Sequence, residues 1–103
     1  MYIVIFITAA NKKEADKIAE ELVKSKLAAC VNIVGNINSV FRWQGKLNKA
    51  EEVLLIIKSK KSKFNKIAGF VKSMHSYQVP EIISLPVISG NKDYLEWLDA
   101  NIR

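Results

Sequence analysis

The segment around the only histidine gathers more groups able to bind a ligand than any other part of the chain. It reads His75-Ser76-Tyr77-Gln78-Val79-Pro80-Glu81, and Met74 precedes it. A thioether, an imidazole, a phenol and a carboxylate therefore fall close together in sequence. Soft sulfur and imidazole are ligands that transition metals accept. We therefore take Met74, His75, Tyr77 and Glu81 as the candidate metal ligands.

The same residues also allow a purely structural interpretation. A histidine at the end of a helix can bond to a carbonyl or to Glu81, where a cation suits the helix dipole. Met74 continues an apolar helical stripe and can belong to the core. Tyr77 and Glu81 can fix the turn into the next strand. Both interpretations stay open at the level of sequence.

Cys30 is the only cysteine among 103 residues, so the chain cannot form an intramolecular disulfide. That fits a reducing compartment, and we expect a cytoplasmic protein. The setting Ala-Ala-Cys-Val favours a small buried hydrophobe at this position. A Cys-His nucleophile would need chance proximity, and no glycine-rich phosphate loop is present. We therefore expect no enzymatic activity.

The formal charge is +6, and five lysines crowd into one stretch, namely Lys58, Lys60, Lys61, Lys63 and Lys66. They form either an anion-binding patch or a solvated turn at the start of a helix. Lysine reads bases less well than arginine, and the run Val53–Ile57 offers no aromatic residue for base stacking. The longest uncharged apolar run, Tyr2–Ile7, is too short to span a membrane. We expect neither a nucleic-acid nor a membrane partner.

The first third of the chain has clear strand and helix patterns. Tyr2–Thr8 is nearly all apolar, which predicts a strand covered on both faces. Asn11 is predicted to cap a helix, and Glu14 is placed to reach back as in a capping box. Ala28–Trp43 is predicted to be extended, with a bulge or bend at Gly35-Asn36.

The second part of the chain continues this alternation. A polar loop is predicted over 44–50, followed by a strand at Glu52–Ser59. Ser62 is predicted to cap a second helix. Glu81–Ser89 is predicted to be a strand that either lies at a sheet edge or bends at Pro86, because Pro86 cannot donate to a neighbouring strand. Asn91 is predicted to cap a short last helix.

This order predicts one domain over residues 1–103 of the α+β class. It is a ferredoxin-like βαββαβ sandwich with an extended central hairpin and a short C-terminal helix. An eight-residue strand already spans about 26 Å, and the Ala28–Trp43 segment is roughly twice as long. Part of the hairpin should therefore project beyond the core and expose Val40, Phe41 and Trp43. An exposed strand of that length invites pairing with another chain. Half of the residues are hydrophobic, which also favours a subunit interface.

Four segments, in the expected order, resemble the divalent-cation-tolerance (CutA) proteins. They are Leu27–Asn32, Ser39–Gly45, His75–Ile83 and Tyr94–Leu98. The resemblance implies a ferredoxin-like fold, a homotrimer built by strand pairing between subunits, and an architecture shared with the P-II signalling proteins. It also implies a part in tolerance of divalent metals, with copper as the ion to expect.

The chain departs from the pattern of some family members at two places. They carry a cysteine before the Thr-Ala of the first loop and a His-His pair before the tyrosine, where this sequence has Ile7 and Met74-His75. One imidazole therefore remains, and a site built on His75 with Met74, Tyr77 or symmetry-related copies would be weaker or biased toward Cu(I).

Two functional hypotheses follow. The first is a non-enzymatic cytoplasmic homotrimer that binds divalent cations, copper above all, and contributes to tolerance of them. The second is a P-II-like signalling or scaffold trimer that binds a small anion or a protein partner in the cleft between subunits.

Overall fold

A four-stranded antiparallel sheet with helices packed against it forms the frame of the molecule. The computed structural model describes residues 1–103. A single 3-10 turn, Lys61–Lys63, precedes the second helix. The elements are β1 (Tyr2–Ala9), α1 (Lys12–Lys24), β2 (Cys30–Trp43), β3 (Lys46–Lys60), α2 (Phe64–Met74), β4 (Ile82–Pro86) and α3 (Lys92–Ala100).

The strands lie in the order β2-β3-β1-β4, and every neighbouring pair is antiparallel. This confirms the predicted α+β class, and the order is compatible with a ferredoxin-like sandwich. No helix is both long and apolar enough to cross a membrane.

The main core lies between one face of the sheet and helices α1 and α2. Alternate residues of β1 and β3 point to that face because successive side chains of a strand point to opposite sides. Burying one such isoleucine or leucine fully stabilises the fold by about 1.5–3 kcal/mol. The fully buried large side chains are Ile5, Ile7, Ile18, Leu22, Leu55, Ile57, Ile67 and Val71.

The opposite face of β1 is less covered than its sequence predicts. Val4 and Phe6 point away from α1 and α2 and are only half-buried in this chain. A small second cluster of Ala29, Leu98 and Ile102 packs against Tyr2. The expectation of cover on both faces is therefore not met within a single chain.

The central hairpin is closed by a shorter turn than the predicted loop over 44–50. Gln44 and Gly45 both have positive φ, 51° and 77°, as in the tight turns that match strand twist. Lys46 therefore already pairs with Trp43, and β3 begins there. The polar residues after the turn therefore belong to the paired strands of the hairpin and not to a loop.

The rest of the hairpin follows the prediction. The register between β2 and β3 shifts between Val34 and Ile37, and Asn36 has a φ of 56°, so the predicted bulge or bend is confirmed. The molecule is 45 Å long and only 25 Å by 23 Å across, consistent with a projecting hairpin. Val40 and Trp43 are 62% and 46% exposed.

Two predicted helix caps are confirmed, and one is wrong. Asn11 accepts a hydrogen bond from the Glu14 N–H at 2.8 Å, and Asn91 accepts one from the Asp93 N–H at 2.9 Å. Ser62 lies inside the 3-10 turn, and Lys63 precedes α2 without a side-chain cap. The chain tightens into that turn before the α-helix starts, so the serine is one position too early to cap it.

Strand β4 is shorter than predicted and lies at an edge of the sheet. Pairing with β1 runs from Ile82 to Pro86 and not from Glu81 to Ser89. β4 is an edge strand, which is one of the two alternatives that Pro86 left open.

Candidate functional site

His75 lies where α2 ends and the chain turns toward β4. Its backbone N–H still donates to the Val71 carbonyl oxygen at 2.8 Å, while its own ψ of 142° takes the chain out of the helix. The side chain then turns inward, and its exposed fraction is 0%. The ring therefore lies beneath the loop and not on the surface.

Both ring nitrogens of His75 have protein partners. Nε2 lies 2.7 Å from the Thr8 carbonyl oxygen, and Nδ1 accepts the Tyr77 backbone N–H at 3.0 Å. A carbonyl oxygen only accepts and a backbone N–H only donates, so the Nε2–H tautomer satisfies both contacts. This corresponds to the structural alternative of a histidine bonded to a carbonyl, with Thr8 as the partner instead of Glu81.

The carboxylate of Glu14 holds the two loops beside this histidine. Oε2 accepts the Ala10 N–H at 2.9 Å, and Oε1 accepts the Ser76 N–H at 2.7 Å. The predicted capping box therefore forms in altered form, since the carboxylate reaches Ala10 and not the Asn11 N–H. The bond to Ser76 connects residues that are 62 positions apart, which no local pattern could indicate.

The electrostatic setting of Glu14 favours its charged form. Partial burial by itself raises the pKa of a carboxyl group, but hydrogen bonds from Ala10 and Ser76 outweigh that effect here. The nearby imidazole of His75, with Nε2 at 3.9 Å from Oε2, adds to the lowering. The pKa of Glu14 is thus below its ordinary value.

Tyr77 joins the loop to strand β3. Its hydroxyl donates to Oε2 of Glu52 at 2.8 Å, and its ring lies 4.8 Å from the His75 ring, centroid to centroid. Burial first, and then the bond to Glu52, raise the pKa of Tyr77 to about 12. Glu52 is only 8% exposed, and sequence reasoning missed it. The one sequence feature that could have indicated Glu52 is its position directly before the apolar run of β3.

The other two candidate ligands lie outside this network. Met74 is partly buried and packs against the main core, as its apolar stripe allowed. Glu81 is exposed just before β4. Across residues 1–103, no three His, Cys, Asp or Glu side chains are grouped so that they could hold a metal ion.

These contacts bear on whether copper fits the candidate ligand set. A metal ion binds a deprotonated nitrogen through its lone pair. The lone pair at Nδ1 of His75 is already used by Tyr77, and Nε2 carries the proton given to Thr8. Within this chain the four side chains therefore do not form a ready site for copper.

Cys30 and the clustered lysines lie elsewhere on the sheet. Cys30 is partly exposed and pairs in register with Lys58, which in turn faces Val4 of β1. His75 contacts Thr8, which lies four residues beyond Val4 on β1. Val4 and Thr8 are therefore separated by about 13 Å. The thiol and the imidazole of this chain therefore cannot act together as a nucleophile pair. Of the five lysines, Lys60 forms an ion pair, with Asp99.

The chain is similar to proteins of one family over nearly its whole length. The family model described as CutA1 divalent ion tolerance protein matches residues 3–101. A divalent-cation tolerance protein of Thermus thermophilus is 45% identical over 98 residues, which cover 95% of this chain and 95% of that protein. One from Archaeoglobus fulgidus is 43% identical over 103 residues and covers both chains completely.

Solved structures give the same picture. The divalent cation tolerance protein of Thermus thermophilus superposes with a TM-score of 0.98 at 44% identity, covering 100% of both chains. The Archaeoglobus fulgidus protein, described as periplasmic, gives 0.97 at 43% identity with the same coverage. CutA1 from Oryza sativa gives 0.96 at 45% identity, over 99% of this chain and 94% of that one.

Proposed function

The chain belongs to the CutA1 divalent ion tolerance family, and on that premise we propose that it acts in tolerance of divalent cations without catalysing a reaction. Its working form in this proposal is a cytoplasmic homotrimer. The unpaired Cys30, which fits a reducing compartment, supports the location. The observation that carries the proposal is the near-complete match to the family together with an apolar hairpin that one chain leaves exposed.

The sheet edges support assembly with further copies. β2 and β4 are the two edge strands, and both carry exposed apolar side chains, such as Val40 on β2 and Leu85 on β4. Pairing the β2 edge of one copy with the β4 edge of the next is a head-to-tail contact, which closes into a ring at the right rotation. Such a ring would cover both edges at once.

The cation enters this proposal as cargo. Copper bound through Met74, His75, Tyr77 and Glu81 would compete with the Tyr77 N–H for Nδ1 of His75. That hydrogen bond contributes only about 0.5–1.5 kcal/mol net, but the ring is also buried. We therefore expect binding at these residues to be weak unless another subunit adds ligands.

Growth under metal stress tests the proposed function. A bacterial host lacking its own CutA-type gene would express this chain or a Trp43→Glu variant on graded copper, zinc and cobalt. The wild-type chain is expected to raise tolerance, and the variant is not, because a charge on the apolar hairpin opposes assembly. The exposed Lys49→Gln variant on the same hairpin is the control. Equal growth with and without the wild-type chain would contradict the proposal.

A second candidate function rests on the basic residues that follow β3 and continue into the first turn of α2. Lys61, Lys63 and Lys66 take part in none of the ion pairs of the chain. A P-II-like trimer would use such charges to bind a small anion or an acidic partner protein in the cleft between subunits. A native-state ligand must raise the melting temperature, so a screen of phosphate, citrate and nucleotides tests this candidate. A screen without any shift counts against it.

A further inference from the structure

A groove runs between helix α2 and the segment that leads into β4. Its volume is about 520 Å³, within the range of about 300–1,000 Å³ that is usual for small-molecule sites. Most of its lining is apolar. The lining residues are Phe64, Ala68 and Lys72 on one side and Tyr77, Gln78, Val79, Pro80 and Ile82 on the other.

The α2 side of the groove is apolar at one end and cationic at the other. Phe64, Ala68 and Lys72 are spaced four residues apart, so they share one face of the helix. Lys72 is exposed and belongs to none of the ion pairs of the chain. No acidic side chain lines the groove. An apolar groove that ends at the ammonium group of Lys72 matches a ligand with an apolar body and one negatively charged end.

On the opposite side of the groove, the end formed by Tyr77 is fixed in place by the polar network. Tyr77 is held by its bonds to Glu52 and His75, and the preceding Ser76 by its bond to Glu14. A wall anchored in this way loses little conformational freedom when a ligand enters, which favours binding. The groove is therefore present before a ligand arrives.

We propose that this groove binds a small amphipathic carboxylate, with its apolar body against Phe64, Ala68 and Ile82 and its carboxylate at Lys72. Gln78 also lines the groove, and its side-chain amide offers further N–H donors for a polar group of the ligand. The site lies within one subunit. It therefore depends neither on the proposed role in cation tolerance nor on an inter-subunit cleft.

Phenylacetate, with the neutral phenylacetamide as its matched counterpart, is the probe for this site. In two-dimensional amide NMR spectra of the assembled protein, phenylacetate is expected to shift resonances of residues 64–72 and 77–82 saturably in the millimolar range. Phenylacetamide should bind more weakly, because it lacks the charge that Lys72 attracts. An exposed ion pair of this kind changes affinity by about fivefold at most.

Three variants separate the groove from general attraction by a basic protein. Lys72→Gln should weaken phenylacetate by about two- to fivefold, and Ala68→Phe should abolish binding by filling the groove. Lys66→Gln, an exposed lysine of the same helix that does not line the groove, should leave the affinity unchanged.

Several results would overturn the proposal. They are shifts that do not saturate, shifts that map outside the groove, or equal losses from Lys72→Gln and Lys66→Gln. Binding that survives Ala68→Phe in a folded protein would also overturn it. So would amide protection showing that another subunit covers the groove in the assembly. None of these outcomes bears on metal tolerance, which the growth experiment tests separately.

Discussion

Nε2 of His75 and the carbonyl oxygen of Thr8 lie 2.7 Å apart, although the two residues are 67 positions apart in sequence. The contact connects the end of α2 to the end of β1. It belongs to a hydrogen-bond network that also includes Glu14 and Tyr77. The residue that the sequence most strongly suggested as a ligand thus has a structural role within the chain. Its contacts hold the segment that leads to β4.

The first prediction concerns the bridging carboxylate. Glu14→Gln should lower the free energy of unfolding by about 1–3 kcal/mol, because an amide offers one acceptor oxygen where two backbone N–H groups need one each. Urea unfolding at fixed protein concentration measures the change. Glu20→Gln, an exposed position on the same helix, is the control and should change stability little. Equal effects from the two variants would mean that the bridge does not stabilise the fold.

The second prediction concerns acid stability. The pKa of Glu14 is lower in the folded protein than its ordinary 4.5. The stability that this shift contributes is therefore fully present above pH 4.5 and is lost as the pH falls through the lower folded value. The difference in unfolding free energy between wild type and Glu14→Gln should shrink over that acid range. A difference that stays constant with pH would contradict the assigned electrostatic setting.

The third prediction concerns alkaline pH. The pKa of Tyr77 is raised from 10.0 to about 12, so its contribution is present below pH 10 and is lost as the pH rises toward 12. Tyrosinate absorbance should show a late-ionising group that is missing in Tyr77→Phe. That variant should also cost about 1–3 kcal/mol, because Glu52 would lose the donor it has in a buried position. If Tyr77→Phe instead removes a tyrosine that ionises near its ordinary pKa, the Tyr77 hydroxyl is exposed to solvent and not bonded to Glu52.

The fourth prediction concerns the hairpin. Trp43→Glu should dissociate the assembly, because it places a charge on an apolar surface that we expect another subunit to cover. Light scattering coupled to size exclusion measures the mass. Lys49→Gln, on the opposite strand of the same hairpin, should leave the mass unchanged. An unchanged mass in Trp43→Glu would place the subunit interface elsewhere.

Local patterns predicted the fold well because the determinants of its elements are local. Asn11 and Asn91 cap helices through the next few residues, and Pro86 marks an edge strand by the donor it lacks. The prediction failed where two alternatives fit the same residues. The polar residues after Gln44 suited both a loop and a solvent-exposed strand. The positive φ angles of Gln44 and Gly45 close a two-residue turn, so the residues that follow are strand.

The site was predictable only in part, because its bonds connect distant segments. The sequence singled out His75 and Tyr77, which do lie in contact. It did not indicate that Thr8, Glu14 and Glu52 are their partners, since those contacts depend on how the chain folds back. The metal-ligand role of Met74, His75, Tyr77 and Glu81 stays a prediction, as does the copper that would bind there.

Native mass spectrometry during a copper titration tests the central claim most directly. The samples are the metal-free wild type, His75→Asn and Glu96→Gln. Asparagine keeps an acceptor near the position of Nδ1 but removes the imidazole, and Glu96 is an exposed control carboxylate on α3. We predict a trimer that takes up copper weakly, loses that uptake in His75→Asn and keeps it in Glu96→Gln. A monomer, or copper uptake that is indifferent to His75→Asn, would contradict this prediction.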